Sequence, residues 1–78
     1  MRILFFAHLT QATRCREVEM TTTDVDLEGL WQTVIARFPD LANFRSSVRL
    51  ARNGEYVGRE ACFTDADEVA LIPPVSGG

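Results

Sequence analysis

Apolar and polar positions change period several times along this chain, and the changes divide it into elements. Arg2-Ile3-Leu4-Phe5-Phe6-Ala7-His8-Leu9 is almost continuously apolar, which suits a strand buried on both faces. Residues 15–22 alternate, with Val18 and Met20 on one side and Glu17, Glu19 and Thr21 on the other. That period of two predicts a half-exposed strand, hairpinned to the first through residues 9–14. Leu27, Leu30, Trp31, Val34, Ile35 and Phe38 then fall at helical spacing on one face. Asp26 suits the N-cap, Glu28 meets the positive end of the helix dipole, and Pro39 forbids continuation, so the helix ends near Phe38. After an irregular or short helical connection at 40–46, Val48-Arg49-Leu50-Ala51-Arg52 alternates again. Asn53-Gly54 then signals a tight turn into Glu55-Tyr56-Val57. Thr64-Asp65-Ala66-Asp67 reads as a polar turn, and Glu68-Val69-Ala70-Leu71-Ile72 as a final strand.

The order is β-β-α-β-β-β, with one main helix available to cover one face of a five-stranded mixed sheet. The first and last strands are the most apolar and belong together at the centre. These features predict an α+β, β-grasp (ubiquitin-like) domain over residues 1–72, followed by an extended tail at 73–78. Strand parity sends Ile3, Phe5 and Ala7 towards the helix and Arg2, Leu4, Phe6 and His8 away from it. Val69 and Leu71 point inward, and Glu68, Ala70 and Ile72 outward. With the two strands adjacent, Leu4, Phe6, Ala70 and Ile72 form an exposed apolar patch, which is the expected partner interface.

Composition narrows the function chiefly by exclusion. At 78 residues the chain is one small domain with little room for a two-lobed cleft. Its 46% hydrophobic and 24% charged residues suit a soluble globular domain, and no run is long enough to span a bilayer. The apolar start is short for a signal peptide, so a cytoplasmic location is expected. The single histidine, His8, excludes a His-rich metal site, and no metal is expected. Net charge −3 argues against nucleic acid, although all eight basic residues are arginine. The arginines at 45, 49, 52 and 59 suit a basic patch or, equally, water-facing positions on alternating strands, and Asp65, Asp67 and Glu68 suit docking on basic residues of a partner or a plain solvated turn. Cys15 and Cys62 form no C-x-x-C pair, and a structural role is the commoner one for such cysteines, with their burial left open by the sequence.

The tail carries the candidate chemistry. Pro73 and Pro74 stiffen it, Val75 and Ser76 follow, and Gly77-Gly78 bring no side chains. At about 3.3 Å per residue, six residues carry the terminal carboxylate roughly 20 Å from the domain. Glycine leaves room for another protein to close around the backbone and act on the carboxylate of Gly78. Condensation with ATP would make that inert group an acyl-adenylate. A sulfur donor would then give a thiocarboxylate, and an amine would give an amide.

Leu4-Phe5-Phe6-Ala7, the Phe38-Pro39 helix end, and Asp67-Glu68-Val69-Ala70-Leu71-Ile72-Pro73-Pro74-Val75-Ser76-Gly77-Gly78 resemble the MoaD family, the small sulfur-carrying subunits of molybdopterin synthase. The resemblance covers nearly the whole chain. It implies adenylation and thiocarboxylation of Gly78 by a MoeB-type adenylyltransferase fed by a sulfur donor protein. It further implies insertion of residues 73–78 into a MoaE-type large subunit, with sulfur passing to cyclic pyranopterin monophosphate. Phe6 and Ile72 match the family's hydrophobic contacts, and the assembly implied is a heterotetramer. On this reading the chain is not an enzyme alone and binds no cofactor, the ATP being used by the activating enzyme. Two departures stand out: Ala66 replaces a common glycine, and Thr10-Gln11 replaces a common Arg-Glu.

Three other readings compete. A ThiS-like carrier for thiamine thiazole synthesis would share Asn53-Gly54-Glu55, but the Pro-Pro-Val-Ser-Gly-Gly tail favours molybdopterin. A conjugation modifier would join Gly78 to target lysines, although a chain without lysine cannot build isopeptide polymers of itself. A persulfide enzyme using Cys15 or Cys62 lacks a base beside either residue in the sequence.

Overall fold

The structure is a computed structural model that describes residues 1–74; of the predicted tail, Val75, Ser76, Gly77 and Gly78 lie outside the described residues. The main sheet has five strands: β1 (Arg2–Phe5), β2 (Glu17–Glu19), β4 (Arg49–Arg52), β5 (Glu55–Tyr56) and β7 (Glu68–Ile72). Their spatial order is β2-β1-β7-β4-β5. The most apolar strands, β1 and β7, are neighbours and run parallel, with Ile3 opposite Val69 and Phe5 opposite Leu71. Both have a paired strand on their other side, so the middle of the sheet leaves no open edge along them.

One helix, α2 (Leu27–Arg37), covers one face. It starts where expected, because the Asp26 carboxylate accepts from the Gly29 amide at 2.8 Å. Its end is also as expected: Pro39 opens a short 3-10 helix at Pro39–Asn43. Leu30, Trp31 and Val34 pack against Ile3, Phe5, Leu50, Val69 and Leu71, and Leu41 and Phe63 complete the same core. The Phe5 and Phe38 rings meet edge to face, with centroids 5.3 Å apart.

Four local expectations need correction. Residues 9–14 are not a simple hairpin loop but contain a short helix, α1 (Leu9–Thr13), with Leu9 fully buried. The cause lies just before it, where Ala7 takes φ 52° and stops β1 at Phe5. Ala7 is therefore exposed in a turn instead of facing the core, and His8 precedes α1 instead of continuing the strand. The alternating stretch at 15–22 pairs over Glu17–Glu19 alone, although Val18 and Met20 do pack on the core. A second sheet, unforeseen from the periodicity, pairs β3 (Val25–Asp26) with β6 (Cys62–Phe63). Cys62 is exposed on it and Cys15 is half-buried, which answers what the sequence left open.

Candidate functional surface

The sheet face turned away from α2 is organised by register. Glu17 stands opposite Leu4, Leu4 opposite Ala70, Ala70 opposite Ala51, and Ala51 opposite Tyr56. Strand alternation puts all five on the outer face, so a row runs across the sheet from the Glu17 carboxylate through Leu4, Ala70 and Ala51 to Tyr56. Ile72 lies two residues beyond Ala70, and the Phe6 amide donates to the Leu71 carbonyl at 3.3 Å. Phe6 thus stays beside β7 after β1 has ended.

Leu4, Phe6, Ala51, Tyr56, Ala70 and Ile72 line one shallow hollow of about 280 Å³. Phe6 is 46% exposed and Tyr56 58%, and they are the two large hydrophobic residues left open to water among the described residues. Leu4 and Phe6 also line a neighbouring hollow of about 500 Å³ bounded by Arg2, Arg16 and Glu17. Phe6 is therefore a ridge between two depressions, a shape that a complementary surface can grip. The structure brings Leu4, Phe6, Ala70 and Ile72 together as the parity argument required.

Tyr56 was missed from the sequence, although a signal for it was present. A two-residue turn at Asn53-Gly54 forces Ala51 to face Tyr56, and Ala51 shares its face with Ala70. The turn has the backbone such a hairpin needs, with φ 52° at Asn53 and 88° at Gly54. The Arg49 guanidinium lies 4.3 Å from the Tyr56 ring centroid and holds that ring from one side.

Charge closes the other end of the patch. Arg2 donates to Glu17 at 2.7 Å and to Glu68 at 3.1 Å, bridging three strands. The hydrogen bonds and charges of those two carboxylates, Glu17 foremost, raise the Arg2 pKa above its ordinary value. The acidic turn is engaged within the domain. Asp65 accepts from the Thr22 amide at 2.9 Å and the Met1 amine at 3.0 Å, and these bonds hold its pKa below the usual carboxylate value. Asp67 is lowered by the Thr64 amide at 2.8 Å and then by the Asn53 side chain at 3.0 Å. Ala66 keeps a negative φ, so this turn has no need of glycine there.

The last strand delivers the chain to the rim of the patch. Pro73 is buried and Pro74 exposed, so the packed body runs one residue past Ile72 before the chain leaves it. No group of three or more His, Cys, Asp or Glu residues among the described residues is arranged to hold a metal. Cys15 and Cys62 have no titratable side chain as a hydrogen-bond partner among the described residues. No helix among these residues is long and apolar enough to cross a membrane.

The model of the ThiS family matches residues 3–78, taking in both central strands and the Gly-Gly end. The chain belongs to the ThiS family. Within the ThiS family it is similar to the molybdopterin synthase sulfur carrier subunit of Arabidopsis thaliana, with 35% identity over 83 aligned positions, 100% of this chain and 82% of that protein. Among solved structures it is similar to SAMP1 from Haloferax volcanii, with TM-score 0.81, 26% identity, and 99% and 97% of the two chains covered. It also shares its fold with a chain in a complex of subunits 1 and 2 of the molybdopterin-converting factor from Helicobacter pylori. There the TM-score is 0.68, the identity 20%, and the coverage 99% and 96%. The structural likenesses agree with the mixed β-grasp sheet described above, and the sequence likeness is to a protein named as a carrier for molybdopterin synthase.

Proposed function

We propose that this protein is the sulfur carrier subunit of a molybdopterin synthase and that Gly78 is its reactive residue. A carboxylate oxygen of Gly78 attacks the α-phosphate of ATP on an activating enzyme, releasing pyrophosphate. A sulfide-equivalent from a donor protein then adds at the acyl carbon and expels AMP, leaving a thiocarboxylate. That group is ionised and soft at neutral pH, so it is a ready sulfur nucleophile towards cyclic pyranopterin monophosphate. In this scheme the chain acts as a carrier. Its part is a grip and a reagent, with the active site in the large subunit.

The observation that carries this reading is the hollow formed by Leu4, Phe6, Ala70 and Ile72. It lies along the two central strands and ends where Pro73 and Pro74 lead the chain away. A MoaE-type subunit seated there would receive residues 73–78 directly. Its likeness to a carrier subunit over the whole chain supports the same assignment.

The second reading is conjugation to proteins, favoured by the likeness to an archaeal modifier. Both readings begin with Gly78 adenylation and part at the nucleophile. The deciding experiment is intact-mass analysis after incubation with ATP, the activating enzyme and a sulfur donor. Exchange of one oxygen for one sulfur, lost on deleting Gly78, supports the carrier. Sulfur loading that survives the deletion defeats it and moves attention to Cys15 and Cys62. Adducts on target lysines without sulfur exchange establish the modifier.

A further inference from the structure

A third depression lies at the start of β4, with Arg49 standing between it and the apolar hollow. It has a volume of about 840 Å³ and runs between α2, the 3-10 helix, β4 and the segment after β5. Leu27, Trp31 and Val57 contribute apolar walls, while Arg45, Arg49 and Arg59 stand around it. Alternating strands facing water would scatter arginines over a surface. Here three of them border one concavity.

Their pairing is uneven. Arg45 is held by Glu28 and lies 5.8 Å from the Trp31 ring centroid. Arg49 and Arg59 take part in no salt bridge among the described residues. The chain has net charge −3, yet Glu17, Glu68, Asp65 and Asp67 are engaged elsewhere, by Arg2, the Met1 amine, Thr64 and Asn53. Guanidinium groups left without carboxylates beside an apolar wall match an acidic peptide that also carries an apolar side chain. The groove also lies close to the tail's path: Arg49 stands directly opposite Ile72, one residue before Pro73. A protein following the tail on the β4 side meets Arg49 first.

We propose that this groove receives an acidic segment of the enzyme that activates the tail. The proposal rests on the carrier reading above and adds a second handle to it. The apolar hollow supplies grip, and the arginine groove supplies steering and orientation. Charge at the edge of an interface acts mainly on encounter and register, and the signature is sensitivity to salt.

The test is the loading reaction with purified activating enzyme, ATP and sulfur donor, comparing the wild-type carrier with R59E, because Arg49 also holds the Tyr56 ring of the gripping face. Thermal melts of both proteins establish that the variant is folded. The expected result is a KM for the carrier raised roughly tenfold or more, with kcat nearly unchanged, and a difference that shrinks as ionic strength rises. An equal KM for the two carriers overturns the groove proposal and leaves the carrier reading intact. A salt-independent difference also overturns it, by assigning the effect to shape. A wild-type carrier that accepts no sulfur defeats both. Titration of the labelled carrier with ATP alone completes the test: shifts in the Arg49 and Arg59 amides would make the groove a nucleotide site and overturn an acidic peptide as its occupant. Their absence supports the peptide.

Discussion

Leu71 and Ile72 are neighbours on β7 and stand on opposite faces of the sheet: Leu71 meets Leu50 in the core, and Ile72 meets Arg49 on the outer side. Adjacent truncations should therefore fail in different assays. Leu71→Ala removes a side chain that is 1% exposed and should cost about 2–5 kcal/mol. A domain of this size has roughly 4–12 kcal/mol in total, so much of its stability would go. Ile72→Ala should cost less than about 1 kcal/mol and instead weaken binding to the large subunit. Urea denaturation and titration calorimetry on both variants separate the two effects.

Phe6→Asp places a charge on the ridge between the two hollows. The side chain is 46% exposed, so the melting temperature should move by only a few degrees. Partner binding should be lost, because a carboxylate buried against an apolar partner surface has no counter-ion there. Global unfolding of the variant would show that Phe6 belongs to the core and would sink the interface assignment.

Gly54→Ala isolates a purely backbone cost. A Cβ at that position would meet nothing within 4 Å, yet φ is +88°. The expected loss is about 1 kcal/mol, from holding an L side chain in a left-handed conformation. Urea denaturation reads this loss directly, and because Gly54 also lines the hollow with Leu4, Phe6, Ala70 and Ile72, stability and not sulfur loading is the readout. Loss of stability well beyond this value would mean that the β4–β5 register had slipped.

Acid should loosen the Asp65 and Asp67 turn. Both carboxyls have folded pKa values below their ordinary ones, set foremost by backbone amides, from Thr22 and Thr64 respectively. A group of this kind contributes stability in full above its unfolded pKa, near 3.9, and loses it as pH falls through the lower folded value. The window is therefore below about pH 4. Asp65→Asn should flatten the acid limb of a stability-against-pH curve and reduce stability at neutral pH. A curve unchanged below pH 4 would show that the Met1 and Thr22 bonds carry no net stability.

How much of this was readable before folding depended on the length of each signal. Helix α2 spans 11 residues with a cap, a dipole-matched Glu28 and a proline stop, and all of these appear as written. The adjacency of β1 and β7 followed from their apolar runs. The outer patch followed from parity and held through Phe6. It failed at Ala7 and His8, because a positive φ in a residue with no special preference for it leaves no mark in the sequence. Helix α1, at five residues, is shorter than two turns and shows no period. Strands β3 and β6, two residues each, cannot alternate visibly. The arginine groove needed the turn after Asn43 and the segment after Tyr56 to come together, and only tertiary contact supplies that.

The central position of β7 has a consequence for the life of the chain. Its partner β1 lies more than sixty residues earlier, so the two are joined only after every element between them has been made. During synthesis the middle of the sheet is a vacant slot, with β1 and β4 waiting on either side. The strand that fills the slot also carries the tail and supplies Ala70 and Ile72 to the gripping face. An activating enzyme that requires this face would therefore reject unfinished or misfolded chains without a separate inspection step. Sulfur would be committed only to carriers whose last strand is already home.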